Sequence, residues 1–286
     1  MQRAGGPACK LGEVAARSTP LHGYLARQSL HIKLETLYGE RMNVRRKGIA
    51  KLLGGTTLTL VLPYSLLVLF PQPLFAHKVE YRSFEIYSHD SIDDRIYRIL
   101  DEVSRRLDRS MLLRPAGVQR VFICKSAEEF TFFAPHRRRA TSINYQLGHN
   151  IFIRGADCRA NHVGDPGRYG STLTWIITHE AVHTLEQESI GLQAALALPF
   201  WKREGYAEYV AQETELSWRD GIHRLQQDLS PVIILGDKIA IPRAYFEARL
   251  LVEYYFATRE PSFERLVSDQ IDPTVLRQEM ITWVQP

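Results

Sequence analysis

The sequence predicts a mixed α+β fold, with a small twisted sheet packed on one long helix and a mostly helical region after it. Two observations favour this class: short strand-like segments lie in the first half of the folded region, and apolar residues at helical spacing dominate the second half. The chain has 286 residues, of which 45% are hydrophobic, so it can bury one sizeable core. Strands followed by helices are typical of α+β proteins.

The elements before residue 156 follow from local patterns. Polar and apolar residues alternate from Val79 to Tyr87, as in a strand with one buried face, and apolar residues recur at helical spacing from Ile92 to Leu107. Short apolar runs predict the other elements of this half, which are a strand at 119–124, a helix near 127–133, and strands near 142–146 and 150–154.

A loop containing Gly, Pro and Asp spans 156–170 and precedes a long helix. Ser171 or Thr172 can cap this helix, because a side-chain hydroxyl oxygen accepts an amide N–H of the first turn. Apolar residues at helical spacing predict about four turns with one buried side, formed by Leu173, Ile176, Ile177, Ala181 and Leu185.

This helix carries the sequence His179-Glu180-Ala181-Val182-His183. Residues four apart lie on the same helix face, so both imidazoles can bind one zinc ion. Glu180 then lies beside the open coordination position, where it can accept a proton from water. The motif therefore predicts two of the three protein ligands of a catalytic zinc site, and the third ligand must come from another part of the chain.

Glu204 is the predicted third ligand. Glu186 and Glu188 are nearer in sequence, but ligands strung along one straight helix cannot surround a single ion. Gly191 and Pro199 predict a turn and a new helix start, so a second helix over about 200–213 brings Glu204 back towards the first.

Three neighbours of Glu204 support this arrangement. Gly205 and Ala207 have almost no side chain, which allows two helices to approach closely. Glu208 lies one turn after Glu204 on the same face, where it can accept the free ring N–H of a ligand histidine. The alternative for Glu208 is a solvated helix acid.

The two motifs together resemble those of the gluzincin metallopeptidases, the group that includes thermolysin, and most closely the bacterial peptidase-MA-like branch. The resemblance covers about residues 80–286, with its specific motifs at 174–187 and 199–211. It implies a zincin-like fold and one Zn²⁺ ion bound by His179, His183 and Glu204. It also implies Glu180 as general base and Glu208 as the supporting acid. The aminopeptidase sequence Gly-x-Met-Glu-Asn, which captures a substrate amino terminus, is absent, so the sequence does not favour an aminopeptidase.

The resemblance also implies how a peptide or protein substrate is bound. In this family the strand before the zinc helix pairs with the extended substrate, which assigns that role to Asn150, Ile151, Phe152 and Ile153. Core packing of Ile151 and Ile153 is the alternative. Family members also place a Tyr or His beside the oxyanion, after the third ligand. Tyr245 is favoured because it follows a helix start at Pro242, and the other candidates are His223, Tyr254 and Tyr255.

The amino-terminal region predicts export. Nineteen uncharged residues, Leu52–Phe70, follow the basic residues Arg45, Arg46, Lys47 and Lys51. We expect a signal-anchor or transmembrane segment at 49–76, with the amino terminus in the cytoplasm of a bacterial cell and a metallopeptidase domain at 77–286 outside the inner membrane. Cleavage after Leu74-Phe75-Ala76 would instead release a secreted protein. A buried core helix is the third alternative.

The basic charge is confined to the leader. Residues 1–51 contain ten Lys or Arg against three Asp or Glu, so the rest of the chain is slightly acidic and gives no case for nucleic-acid binding. Residues 1–48 are expected to be a disordered leader. Because Met42 begins a typical export signal, residues 1–41 are interpreted as a start-site artefact.

The predicted function is that of an extracytoplasmic zinc metallopeptidase. Two alternatives remain: a zinc-binding envelope scaffold without proteolytic activity, and a hydrolase of a non-peptidic amide. Glu180 argues against the scaffold, because a site that only binds zinc needs no base.

Overall fold

The computed structural model describes residues 61–113, 117–164, 170–212, 216–235 and 239–284. The predicted leader and residues 49–60 of the predicted anchor lie outside these ranges. The chain divides into two units after Tyr64, and the second, residues 65–286, is a compact unit. Among the described helices, none is both long and apolar enough to cross a bilayer.

A five-stranded mixed sheet forms the first half of this unit. Its strands are β1 (His77–Tyr81), β2 (Phe84–Ser88), β3 (Gln119–Cys124), β4 (Ser142–Tyr145) and β5 (Asn150–Arg154). The spatial order is β1-β2-β3-β5-β4, with β2, β3 and β5 parallel and the two outer strands antiparallel to their neighbours. The single strand predicted at 79–87 is therefore wrong: Arg82 adopts a positive φ of 54° and turns the chain into a hairpin.

The order of strands also corrects the prediction for Asn150–Ile153. β5 pairs with β3 on one side and with β4 on the other, and these four residues are fully buried. A strand paired at both edges has no backbone groups left for a substrate. The run of apolar residues therefore marks an interior strand, and among the described strands β4 and β1 form the two edges of the sheet.

Helices α1 (Arg95–Asp108) and α2 (Ala127–Phe133) connect the strands, and two short hairpin strands, β6 (Ala156–Asp157) and β7 (His162–Val163), lie in the predicted loop. Helix α3 (Leu173–Ile190) follows and carries His179, Glu180 and His183. The Thr172 hydroxyl caps it by accepting the Trp175 N–H at 3.1 Å, and it ends at Gly191, whose φ is +83°. Its eighteen residues make about five turns, one more than predicted.

Helix α3 is buried on all sides over residues 173–186, because it contacts strands β4 and β5, helix α1 and the helix over residues 200–211. The second half is mostly helical, with one small hairpin. Its elements are α4 (Leu192–Ala197), α5 (Phe200–Ala211), α6 (Trp218–Gln227), β8 (Val232–Leu235), β9 (Ile239–Pro242), α7 (Arg243–Thr258), α8 (Phe263–Ser268) and α9 (Pro273–Val284). The predicted α+β class, with a small mixed sheet and a mostly helical carboxyl-terminal part, is confirmed.

Gly205 permits a close helix contact, although with a different partner from the one expected. A Cβ at this position would overlap the carbonyl oxygen of Ala248, which belongs to α7. The glycine therefore lets α5 approach α7 rather than α3. The two cysteines of the second unit, Cys124 and Cys158, are free thiols.

Candidate metal centre

Helices α3 and α5 bring three predicted ligands to one point. The Nε2 atoms of His179 and His183 lie 3.2 Å apart. The Oε2 atom of Glu204 is 3.2 Å from the first and 3.4 Å from the second. The side chains of His179 and Glu204 are more than nine-tenths buried, and that of His183 is 11% exposed. The group could therefore hold a metal ion.

The spacing of these atoms tests whether an ion fits. Ligands at about 2.05 Å from a tetrahedral zinc ion lie about 3.3 Å from one another, which agrees with all three distances. Two imidazole nitrogens and a carboxylate oxygen are also all acceptors when unprotonated. Three buried acceptors that converge need a positive charge between them, and a cation supplies it.

A carboxylate lies beside the Nδ1 atom of each imidazole. The Nδ1 atom of His183 lies 2.9 Å from the Oε2 atom of Glu186, one turn further along α3. The Nδ1 atom of His179 lies 3.4 Å from the Oε1 atom of Glu208, whose other oxygen accepts the Trp175 Nε1–H at 3.0 Å. A carboxylate beside Nδ1 favours the tautomer that carries its proton there, which leaves the Nε2 lone pair free for a metal.

Arg203 fixes the third ligand. Its Nε and Nη2 atoms donate to the Oε1 atom of Glu204 at 3.0 and 2.7 Å. Because Oε1 is bound to the guanidinium group, only Oε2 faces the two histidines. Glu204 is thus arranged to bind an ion through one oxygen.

The charges of the cluster are strongly coupled. Burial opposes the protonated form of His183, but hydrogen bonds with Glu186 and Glu204 outweigh it and raise the pKa to about 9. Burial likewise opposes protonation of His179, yet contacts with Glu204 and Glu208 raise its pKa well above the ordinary value. Burial disfavours the charged form of Glu204, but hydrogen bonds with the two histidines hold its pKa far below the usual range. The site therefore attracts positive charge.

Glu180 lies on α3 beside the ligands and is buried. Its Oε1 atom accepts the Ser142 hydroxyl at 2.6 Å. The Asn144 side chain donates from Nδ2 to the backbone oxygen of Glu180 and, at 2.8 Å, to the Thr184 hydroxyl. Both donors lie on β4, so hydrogen bonds join this edge strand to α3 at Glu180, the predicted general base.

Tyr245 is the one candidate for the oxyanion donor that the structure places beside the centre. Its ring centroid is 6.1 Å from that of His179. Burial, together with the negative charges of Glu204, Glu180 and Glu208, raises the pKa of Tyr245 to about 12. The phenol is therefore protonated at neutral pH and can donate a hydrogen bond.

The other three candidates have different surroundings. Tyr254 packs against Trp218, with ring centroids 5.2 Å apart. The Tyr255 hydroxyl donates to Asp269 at 3.1 Å. His223 is exposed on α6.

Sequence reasoning did not assign Glu186, Arg203, Ser142 or Asn144 to the centre. Glu186 could have been found, because an acid three residues after a ligand histidine lies on the same helix face. The other three have no such local signal. They reach the site through the crossing of α5 and the packing of β4.

A cavity of about 1250 Å³ lies at the amino-terminal end of α3, where Ser171 and Thr172 contribute to its lining. None of the metal ligands lines it. The metal centre is therefore distinct from this cavity.

The sequence was also compared with known proteins. No protein-family model matches the chain, and no curated protein matches it.

Proposed function

We propose that the domain is a zinc-dependent metallopeptidase of the gluzincin type, with a zincin-like fold. The convergence of His179, His183 and Glu204 beside Glu180 is the observation that carries this proposal. Two histidines four residues apart and a glutamate from a second helix form the ligand set of thermolysin-type sites.

Zinc is the ion that suits this site best. Mg²⁺ and Ca²⁺ prefer oxygen ligands, whereas two of the three ligand atoms here are imidazole nitrogens. When bound, zinc lowers the pKa of water and polarises a substrate carbonyl. Because the protein supplies only three ligands, a coordination position stays open for the water and for the substrate carbonyl.

Glu180 is proposed as the general base. Its carboxylate takes a proton from the attacking water and then passes it to the leaving amine. Ser142 donates to Oε1 at 2.6 Å, which fixes the carboxylate plane and leaves Oε2 to accept the proton. Ser142 is therefore a positioning residue for the base.

Tyr245 is proposed to stabilise the negative charge that develops on the carbonyl oxygen. A neutral phenol near the metal can donate a hydrogen bond to that oxygen without changing its own charge. Its raised pKa, about 12, keeps the proton in place over the neutral range.

An extended peptide substrate is proposed to pair with β4. Within the described residues, β4 has a neighbour on one side only, and its Ser142 and Asn144 already contact the helix that carries Glu180. The open edge offers backbone groups for strand addition. This replaces Asn150–Ile153 as the proposed substrate strand.

The domain is further proposed to act outside the inner membrane, where the amino-terminal hydrophobic segment holds it. The uncharged run at 52–70 and the basic residues before it support this location. Nucleic acid is not among the proposed partners.

The test is cleavage of a mixed peptide library by the purified full-length chain, with zinc, with a chelator, and with zinc restored. We expect zinc-dependent cleavage inside peptides. Glu180→Gln should lower turnover by at least about 100-fold while zinc stays bound, because it removes the base but no ligand. Glu188→Gln, on the same helix, is the matched control.

The result also separates the alternatives. Zinc binding without cleavage of any library member by the wild-type chain would refute the peptidase. It would leave the scaffold and the hydrolase of a non-peptidic amide. Full activity of Glu180→Gln would refute the assigned base.

A further inference from the structure

Residues 65–76, here called the strap, belong to the predicted anchor and end at the predicted cleavage site, yet they pack on the sheet. The Phe75 side chain is 8% exposed. Its ring centroid lies 4.7 Å from that of His89 and 5.1 Å from that of Phe122, and it stacks on Phe133 at 6.1 Å. Phe75 is therefore part of the hydrophobic core of the domain.

Asn150 holds the other end of the strap. Its Nδ2 atom donates to the backbone oxygens of Val68 and Leu69 at 3.0 and 2.9 Å. These carbonyls lie at the carboxyl-terminal end of a helix, where no further turn can bond them. Asn150 is fully buried within the sheet, so this contact explains a polar side chain at the start of an otherwise apolar strand.

Cleavage after Ala76 would remove both attachments. Val68 is 8% exposed, and it would be lost together with Phe75. The faces of Phe122 and Phe133 that contact Phe75 would then meet water, and the buried Asn150 amide would lose the acceptors that it has here. Removal of the strap would therefore lower the stability of the folded domain, because it takes away buried apolar side chains and the acceptors of a buried amide.

The strap also has an exposed apolar side. The exposed fractions are 48% for Leu66, 37% for Leu67, 61% for Phe70 and 42% for Leu74. These residues belong to the uncharged part of the sequence that begins at Leu52. Four basic residues precede that part. Basic residues before an apolar run match the anionic headgroups of a membrane surface.

We propose that the strap is a permanent part of the folded domain, buried on the sheet through Val68 and Phe75 and turned to a lipid bilayer through Leu66, Leu67, Phe70 and Leu74. The chain is then not processed at Ala76. The domain then remains attached to the membrane through the strap. This inference does not depend on the proposed enzymatic activity.

The first test is the mass and amino-terminal sequence of the full-length chain, expressed with a carboxyl-terminal tag in bacteria and isolated from both the membrane and the soluble fractions. We expect every mature chain to retain residues 65–76. A folded chain that begins at His77, or anywhere within the strap, would overturn the proposal.

The second test compares two adjacent residues of the strap in the full-length chain in detergent. Phe75→Ala should lower the midpoint of thermal unfolding by roughly 10 °C, because it empties a core position. Leu74→Ala should change it by less than about 2 °C. Should Phe75→Ala fail to fold, Phe75→Leu is expected to give a smaller loss of about 3 °C. Equal effects at positions 74 and 75 would contradict the strap.

The third test concerns the lipid-facing side. The full-length chain is reconstituted in phosphatidylcholine–phosphatidylglycerol vesicles that carry brominated acyl chains. Phe70→Trp should add fluorescence that the bromine atoms quench, at least about twofold more than for Tyr97→Trp, an exposed position on α1. Equal quenching at the two positions would refute the lipid contact.

Discussion

The surroundings of the two ligand histidines differ in origin. His183 is supported by Glu186, which lies three residues later on the same helix, at 2.9 Å. His179 is supported by Glu208, which comes from α5 and lies at 3.4 Å. Glu208 in turn accepts a hydrogen bond from Trp175 on α3. One half of the centre is therefore built by helix periodicity and the other half by the crossing of two helices.

This difference has a consequence for stability. The contact of His183 with Glu186 persists as long as α3 is helical. The contacts of His179 depend on how α5 is held, and Gly205 on that helix packs against the backbone of α7. Disturbance of the α5–α7 contact should therefore affect His179 before His183.

The largest expected effect comes from removing the ligand that α5 provides. Glu204→Ala should weaken zinc binding by more than about 100-fold, because it deletes a ligand, whereas loss of a supporting acid costs about 10–100-fold. Competition with a chromophoric chelator measures the affinity. Glu188→Gln is the control, and an unchanged affinity of Glu204→Ala would show that α5 contributes no ligand.

The comparison of the two supporting acids gives the next largest effect. Glu186→Gln and Glu208→Gln should each weaken zinc binding by about 10–100-fold, since each removes the acceptor that orients an imidazole. We expect a lower unfolding temperature of the metal-free protein for Glu208→Gln, because it also loses the acceptor of Trp175. If Glu186→Gln destabilises the metal-free protein more than Glu208→Gln does, the proposed dependence of the His179 contacts on α5 is wrong.

The pH dependence of the metal-free protein tests the charges at both histidines. A group whose pKa rises on folding stabilises the folded state fully below its ordinary pKa, 6.5 for histidine, and this contribution is lost as the pH rises through the folded value, about 9 for His183. The midpoint of thermal unfolding should therefore fall between pH 6.5 and 9, by roughly 5 °C.

The same measurement with zinc bound is the control. A metal ion replaces the protons on the two histidines, so the unfolding temperature should change much less over this range. Equal slopes with and without zinc would contradict the coupling between the histidines and the carboxylates.

The smallest expected effect concerns β4, the third region that reaches the centre. Ser142→Ala should lower kcat roughly tenfold, because it removes one hydrogen bond to the charged Glu180, while KM and zinc affinity stay nearly unchanged. Ser142→Thr should restore most of the activity, since it retains the hydroxyl. A loss of zinc affinity in Ser142→Ala would indicate a structural role instead.

Local patterns predicted much of the helical part of the centre. Residues 179 and 183 lie one turn apart wherever a helix forms, so their common face required no tertiary information. The proposal that Glu204 and Glu208 come from a second helix followed from Gly191 and Pro199, which predict a reversal of the chain. In the structure all four side chains meet.

The sheet was harder to predict. The pattern of Asn150–Ile153 indicated a buried strand but not which strands pair with it. The edge position of β4 depends on the order β1-β2-β3-β5-β4, which is set by contacts between distant segments. Alternation of residues reports which face is buried, whereas a free edge is a property of the whole sheet.

The sequence by itself determined the α+β class, the common face of His179 and His183, and the acids that a second helix could supply. Only the tertiary structure decided three contacts: the hydrogen bonds that Arg203 donates to Glu204, the hydrogen bond that Ser142 donates to Glu180, and the packing of Phe75 on the sheet. The physical reason is the distance along the sequence between the residues in contact. Helix periodicity fixes neighbours within a turn or two, whereas contacts between segments tens of residues apart depend on how all the elements pack together.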